Sequence, residues 1–192
     1  AGQSQALLRS GARPGDDLYV SGHLGDARLA LEALGGNIAL PPALLQAARQ
    51  RLEEPSPRIA LGLALRGLAS AAMDLSDGLV GDLGHLLKAS QVGATLNTEV
   101  ALARLAARAH SDWPAAGVSH AQALRCVLSG GDDYELLFTA PPSARNAILA
   151  AAQRSSTPVT CIGHIDAQPG LRLLDAAGVP MPEHFTSFDH FA

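Results

Sequence analysis

A mixed α/β fold of the α+β kind, with helices covering a mixed β-sheet, is what this sequence predicts. Three observations lead there. Short runs of strand character alternate with longer runs of helical periodicity, and the connections between them are short. Hydrophobic residues make up 47% of the 192 residues and charged residues 17%, which suits a packed core rather than a disordered chain. No internal repeat, low-complexity tract or linker interrupts the pattern, so residues 1–192 read as a single domain.

Residues 10–16 contain Pro14-Gly15, a strong turn signal. They lead into a strand at 17–21, where Tyr19 and Val20 favour the pleat. The loop 22–26 opens a helix over 27–34, with Asp26 as its N-cap and Gly35-Gly36 at its end. Pro41-Pro42 opens a helix over 43–51. After a Pro-rich break at 53–58, residues 59–68 resume an apolar helical pattern. Residues 71–73 read as a short buried strand feeding the turn Asp74-Leu75-Ser76-Asp77-Gly78, and a helix follows over 79–90. A strand is expected at 94–97, and helices at 101–110 and 119–128 flank Trp113-Pro114. The turn Ser129-Gly130-Gly131-Asp132 precedes a strand at 134–139, which Pro141-Pro142 ends before a helix over 143–153. Strands at 159–163 and 171–174 complete the pattern, and the tail from 180 is irregular.

Composition excludes several classes. Lys plus Arg is 14 and Asp plus Glu is 18, a formal charge of −4, which argues against a protein that grips nucleic acid. No run approaches the roughly 20 apolar residues of a membrane helix, and residues 1–13 lack a signal-peptide core. Two cysteines, Cys126 and Cys161, read as small core residues of a cytoplasmic protein. The seven histidines show no His-x-x-x-His spacing, so a zinc site is not expected.

The chemistry concentrates in two acidic turns. In Asp74-Leu75-Ser76-Asp77-Gly78, helix-like backbone would bring both carboxylates to one side, with Ser76 beside unpaired N–H groups at a helix start. Magnesium prefers hard oxygen ligands, often one or two carboxylates with phosphate and water completing the shell. A helix start also favours phosphate. Plain helix capping accounts for the same residues and is the simpler reading of the pattern alone. In Ser129-Gly130-Gly131-Asp132-Asp133-Tyr134-Glu135-Leu136, two glycines let the backbone approach a ligand, and Asp132 could face a cation; a tight turn with a solvated acidic shoulder is the plainer reading. The loop Gly22-His23-Leu24-Gly25-Asp26 could cradle a phosphate, though it is no Walker loop. Arg58 could contact an anion, though a surface arginine after a proline turn is the plainer reading.

Asp74-Leu75-Ser76-Asp77-Gly78-Leu79, with Asp82-Leu83 and His85 after it, resembles the metal-binding turn of the thiamine-monophosphate kinases. The second acidic turn resembles that family's second signature. Phe188-Asp189-His190-Phe191 resembles its C-terminal end, and residues 10–16 the start of its second domain. The family belongs to a superfamily with aminoimidazole ribonucleotide synthetase and selenophosphate synthetase. The resemblance implies the fold of that superfamily's C-terminal domain, with the N-terminal, ATP-binding and dimer-forming domain absent from this chain. It implies that Asp74 and Asp77 bind Mg2+, that Ser76 contacts ATP, and that Asp132 and Phe188 contact the substrate. Asp132 stands where the family often has Glu, and Phe188 where it often has Tyr. No catalytic residue beyond the metal ligands is implied. The implied reaction moves the γ-phosphoryl group of ATP onto thiamine monophosphate, giving thiamine diphosphate, in an enzyme that is a homodimer at full length. The isolated half is then expected to be inactive. Two other expectations stand beside this one: another ATP-dependent enzyme of the superfamily, or a non-catalytic domain whose acidic turns only cap helices.

Overall fold

The computed structural model describes residues 6–181 and Phe185. Its elements are β1 (Asp17–Ser21), α1 (Asp26–Leu34), α2 (Pro42–Glu53), α3 (Ile59–Ala64), β2 (Ala71–Leu75), α4 (Leu79–Ser90), β3 (Gly93–Asn97), α5 (Thr98–Leu102), α6 (His120–Ser129), β4 (Glu135–Ala140), α7 (Arg145–Arg154), β5 (Val159–Asp166) and β6 (Gly170–Leu174). The six strands form one sheet in the order β2-β4-β1-β5-β3-β6. Every pairing is antiparallel except β3 with β6, so the sheet is mixed. The expected fold class is the observed one.

Apolar periodicity explains the packing. On α4, Leu79, Leu83, Leu86 and Leu87 fall on one stripe, and all are buried. They meet Leu18, Val20 and Leu137 of the sheet and apolar residues of α1, α2, α5 and α6 in the main core. The opposite face of the sheet carries a smaller core. There Tyr19 and Phe138 stack with ring centroids 5.1 Å apart, beneath Leu61 of α3 and Ile148 of α7. Pro42 starts α2 at a position where its missing N–H is harmless, and Ser119 with Gln122 forms a capping box on α6.

Three expectations give way to tertiary contacts. The helix expected over 101–110 is instead α5 followed by a short 3-10 turn, Ala106–Ala109. Asn97 caps α5 by accepting from the N–H groups of Glu99 and Val100. The N–H groups of Ala106 and Ala107 are then drawn onto the Asp26 carboxylate, at 3.0 and 2.8 Å, which diverts them from a continued α-helical ladder. Asp26 is therefore not the N-cap of α1; Gly25 holds that place. Cys126 is buried as expected, but Cys161 is exposed. Among the described residues no helix is long and apolar enough to cross a membrane.

Phe138 is fully buried and fills the smaller core together with Tyr19. Phe138→Ala is expected to lower unfolding free energy by about 3–5 kcal/mol, read from urea unfolding. A loss below about 1 kcal/mol would mean that this face collapses around the cavity.

Candidate functional site

β4 runs antiparallel to both β1 and β2, so the ends of β1 and β2 and the start of β4 share one edge of the sheet. All three loops singled out in the sequence gather there. The two acidic turns are joined directly. The Asp132 N–H donates to the Ser76 carbonyl and the Tyr134 N–H to the Leu75 carbonyl, each at 2.9 Å. Gly131 permits this approach, since a Cβ there would lie 2.5 Å from the Ser76 oxygen. Asp132 and Tyr134 both adopt left-handed backbone, with φ of 66° and 49°. That conformation costs a non-glycine residue on the order of 1–3 kcal/mol, so the surrounding bonds must hold it in place.

Asp82, on the first turn of α4, reaches back to organise the first acidic turn. Its Oδ2 accepts from the N–H groups of Ser76 at 2.9 Å and Asp77 at 3.0 Å. Burial pushes its carboxyl upward; those two bonds oppose the rise, and the charges of Asp77 and Asp74 add to it. The N–H groups beside Ser76 are thus engaged, not free as the sequence suggested. The N-cap of α4 is Gly78, and no side chain caps that helix, so neither Ser76 nor Asp77 is there as a cap.

Asp74 points outward from β2 and is exposed, while Ser76, Asp77 and Asp132 are partly exposed. Among the described residues, no hydrogen bond or ion pair holds the carboxylates of Asp74 and Asp77. Asp132 receives only a long bond, 3.4 Å, from the Tyr134 hydroxyl. That hydroxyl is shifted upward, first by the Asp132 charge, then by partial desolvation and its bond to Asp132, with Asp74 and Asp77 contributing. The four polar positions expected from the sequence therefore gather in one place. Phe188 lies outside the described residues.

Beneath this acidic rim lies a layer of engaged acids. Glu135 is 1% exposed and accepts from Ser21 Oγ, from Arg51, and from Arg58 through two nitrogens at 2.7 and 2.6 Å. Burial raises its carboxyl, yet the bonds from Arg58 and Ser21 and the charges of both arginines hold it below its usual value. Arg58 is consequently a structural partner, not the surface arginine expected. Asp133 is buried, and its Oδ1 accepts from the Gly25 N–H at 2.8 Å. Its Oδ2 has no hydrogen-bond partner among the described residues, and burial pushes its carboxyl well above the usual range. The loop 22–26 makes no anion cradle, because its N–H groups are already used: Gly22 by Pro158, His23 by Glu135, Leu24 by Arg104 and Gly25 by Asp133. Asp82, Asp133, Tyr134 and Glu135 stand inside the motifs of the sequence but carry no role that the sequence alone assigns. Asp133 and Glu135 are spaced two apart at a strand start, a period that buries both on one side and could have marked them.

Residues 13–176 match the family described as AIR synthase related protein, C-terminal domain. The thiamine-monophosphate kinase of Salmonella typhimurium is 43% identical over 190 residues, covering 98% of this chain and 56% of that protein. The crystal structure of thiamine-monophosphate kinase from Stenotrophomonas maltophilia K279a superposes with a TM-score of 0.78 at 39% identity, over 90% of this chain and 54% of that one. A structure of AaThiL complexed with AMPPCP and TMP gives a TM-score of 0.70 at 30% identity, over 96% of this chain and 54% of that one.

The chain belongs to the AIR synthase related C-terminal domain family. It spans about half the length of the curated relatives it matches. The metal that the family resemblance implies can be tested against the donors present. Asp74 and Asp77 offer unengaged, solvent-facing oxygen ligands, which suit magnesium. Among the described residues no group of three or more His, Cys, Asp or Glu gathers to enclose an ion. The residues fit one side of a shell, completed by phosphate and water.

Two outcomes follow from the buried layer. Glu135→Ala leaves Arg51 and Arg58 uncompensated and should cost about 3–5 kcal/mol in chemical denaturation; a near-neutral result would mean solvent already screens both arginines. Folding favours protonated Asp133, so the stability it contributes is full below the ordinary value of 3.8 and is lost as pH rises through the folded-state value. Asp133→Asn keeps the acceptor for Gly25 and removes the ionisation. Its melting temperature relative to the parent should therefore rise as the pH is raised above the ordinary carboxyl value of 3.8. A difference that stays flat with pH would contradict this.

Proposed function

We propose that this chain is the C-terminal, metal- and substrate-binding half of an ATP-dependent kinase that converts thiamine monophosphate to thiamine diphosphate. One observation carries the reading. Of the acids at this end of the sheet, Asp26, Asp82, Asp133 and Glu135 are engaged by the fold, while Asp74 and Asp77 are left open beside Asp132. A fold that gathers unpaired carboxylates accepts mutual repulsion, which a bound cation relieves. The names of the relatives, and the AMPPCP and TMP of the AaThiL complex, support the choice of reaction.

In this reading Asp74 and Asp77 hold Mg2+, Ser76 contacts ATP, and Asp132 with Phe188 contacts the thiamine phosphate. A phosphomonoester has its second pKa near 6, so the accepting oxygen is already ionised at neutral pH and needs no strong base. The obstacle is repulsion between two polyanions, and bound magnesium supplies charge neutralisation and alignment. The chain's own part is to fix the turns. Asp82 holds the backbone of Ser76 and Asp77, and Ser76 and Leu75 in turn hold Asp132 and Tyr134. The rest of the ATP site, and the contacts of a homodimer, then belong to a part of the protein that this chain does not carry.

Calorimetric titration with magnesium, nucleotide and thiamine phosphates tests the proposal. Thiamine monophosphate and nucleotide should bind in magnesium and lose binding in excess EDTA. Asp77→Asn should weaken magnesium-dependent binding by at least about tenfold while leaving stability unchanged or slightly raised. Binding that persists in EDTA would refute the metal assignment, and binding of aminoimidazole-type ligands instead would point to another activity of the superfamily.

A further inference from the structure

At the rim, the fold leaves the large aromatic side chain of Tyr134 exposed. The residue is 45% exposed, and no other aromatic ring stacks on it among the described residues. Its backbone is left-handed, a conformation that glycine or asparagine adopts with less strain. A bulky aromatic residue here therefore carries backbone strain while leaving nearly half of its surface to solvent. Strain of that kind is retained where a surrounding network enforces it for a purpose. The network is visible: the Tyr134 N–H is held by Leu75, and its hydroxyl leans on Asp132. An aromatic face is thus presented to solvent beside the unengaged acids Asp74 and Asp77 and the weakly engaged Asp132.

That combination suits one ligand chemistry. A quaternary or ring-bound organic cation has no N–H to donate, so it is read by aromatic faces and by nearby negative charge. We infer that Tyr134 is a binding platform for the cationic ring of the substrate, its exposed face taking a fixed organic cation while Asp132 supplies the compensating charge. This rests on the function proposed above and adds a specificity residue to it: the thiazolium of thiamine monophosphate is such a cation. The phosphate end of the same molecule would lie toward Asp74 and Asp77.

The test uses the chain with Mg2+ and three probes: thiamine monophosphate, the phosphate of the neutral thiazole alcohol that lacks the quaternary nitrogen, and nucleotide. Tyr134→Ala should weaken thiamine monophosphate by about tenfold and the neutral thiazole phosphate by less than about threefold. Tyr134→Phe, which keeps the ring, should stay within about threefold of the parent. In proton spectra, the thiazolium methyl resonance should move upfield on binding to the parent and to Tyr134→Phe, and not to Tyr134→Ala. Tyr134→Gly should melt at the parent's temperature or above, which separates loss of the platform from loss of the fold. If the parent does not bind thiamine monophosphate, the proposed function fails and this inference with it. If the parent binds and Tyr134→Ala binds equally well, or loses nucleotide instead, the inference alone is overturned.

Discussion

Two backbone hydrogen bonds, from Asp132 to Ser76 and from Tyr134 to Leu75, hold the two acidic turns of this domain together. They extend the pairing of β2 with β4 beyond the last ladder residues, where strands usually part. The bonds allow Asp132 and Tyr134 to keep backbone angles that neither residue type favours. Gly131 makes the approach possible, because any side chain there would strike the Ser76 carbonyl. The outward direction of Asp132 and the exposure of Tyr134 both depend on this junction.

The junction sits on a layer of buried acids whose charges are handled in different ways. Glu135 is kept ionised by two arginines and a serine. Asp26 accepts from two backbone N–H groups, and Asp82 from two others. Asp133 has one such bond and is buried, which favours its neutral form. Burying carboxylates is costly unless donors meet them, and the fold has recruited donors from five different segments to do so. The result is a rigid base under an acidic rim. Asp74 and Asp77 are the acids of the rim that have no partners of their own among the described residues, and they stand on a backbone that Asp82 and the strand pairing hold.

Much of this was legible in the chain, and the gaps have a common cause. The α4 helix was readable end to end, because its apolar stripe is strong and the glycine before it breaks the strand. The clustering of Asp74, Ser76, Asp77 and Asp132 was legible from two motifs in tandem. Asp26 looked like an N-cap because local spacing allows it; its real donors come from Ala106 and Ala107, some 80 residues away. The helix expected over 101–110 failed for the same reason. Arg58 looked like a surface residue because nothing in its neighbourhood predicts Glu135, which lies 77 residues further on.

By itself the sequence determined the fold class, most helix and strand positions, and the two turns that carry the exposed acids. Those depend on periodicity, turn chemistry and residue type, which act over a few neighbours. The tertiary structure alone decided which acids are available. A carboxylate is free or engaged according to the donors that the fold brings to it. Asp82 supports the first turn from within its own segment, whereas Asp133 and Glu135 became supports, and Asp74 and Asp77 stayed without partners among the described residues, through contacts that only the folded chain makes.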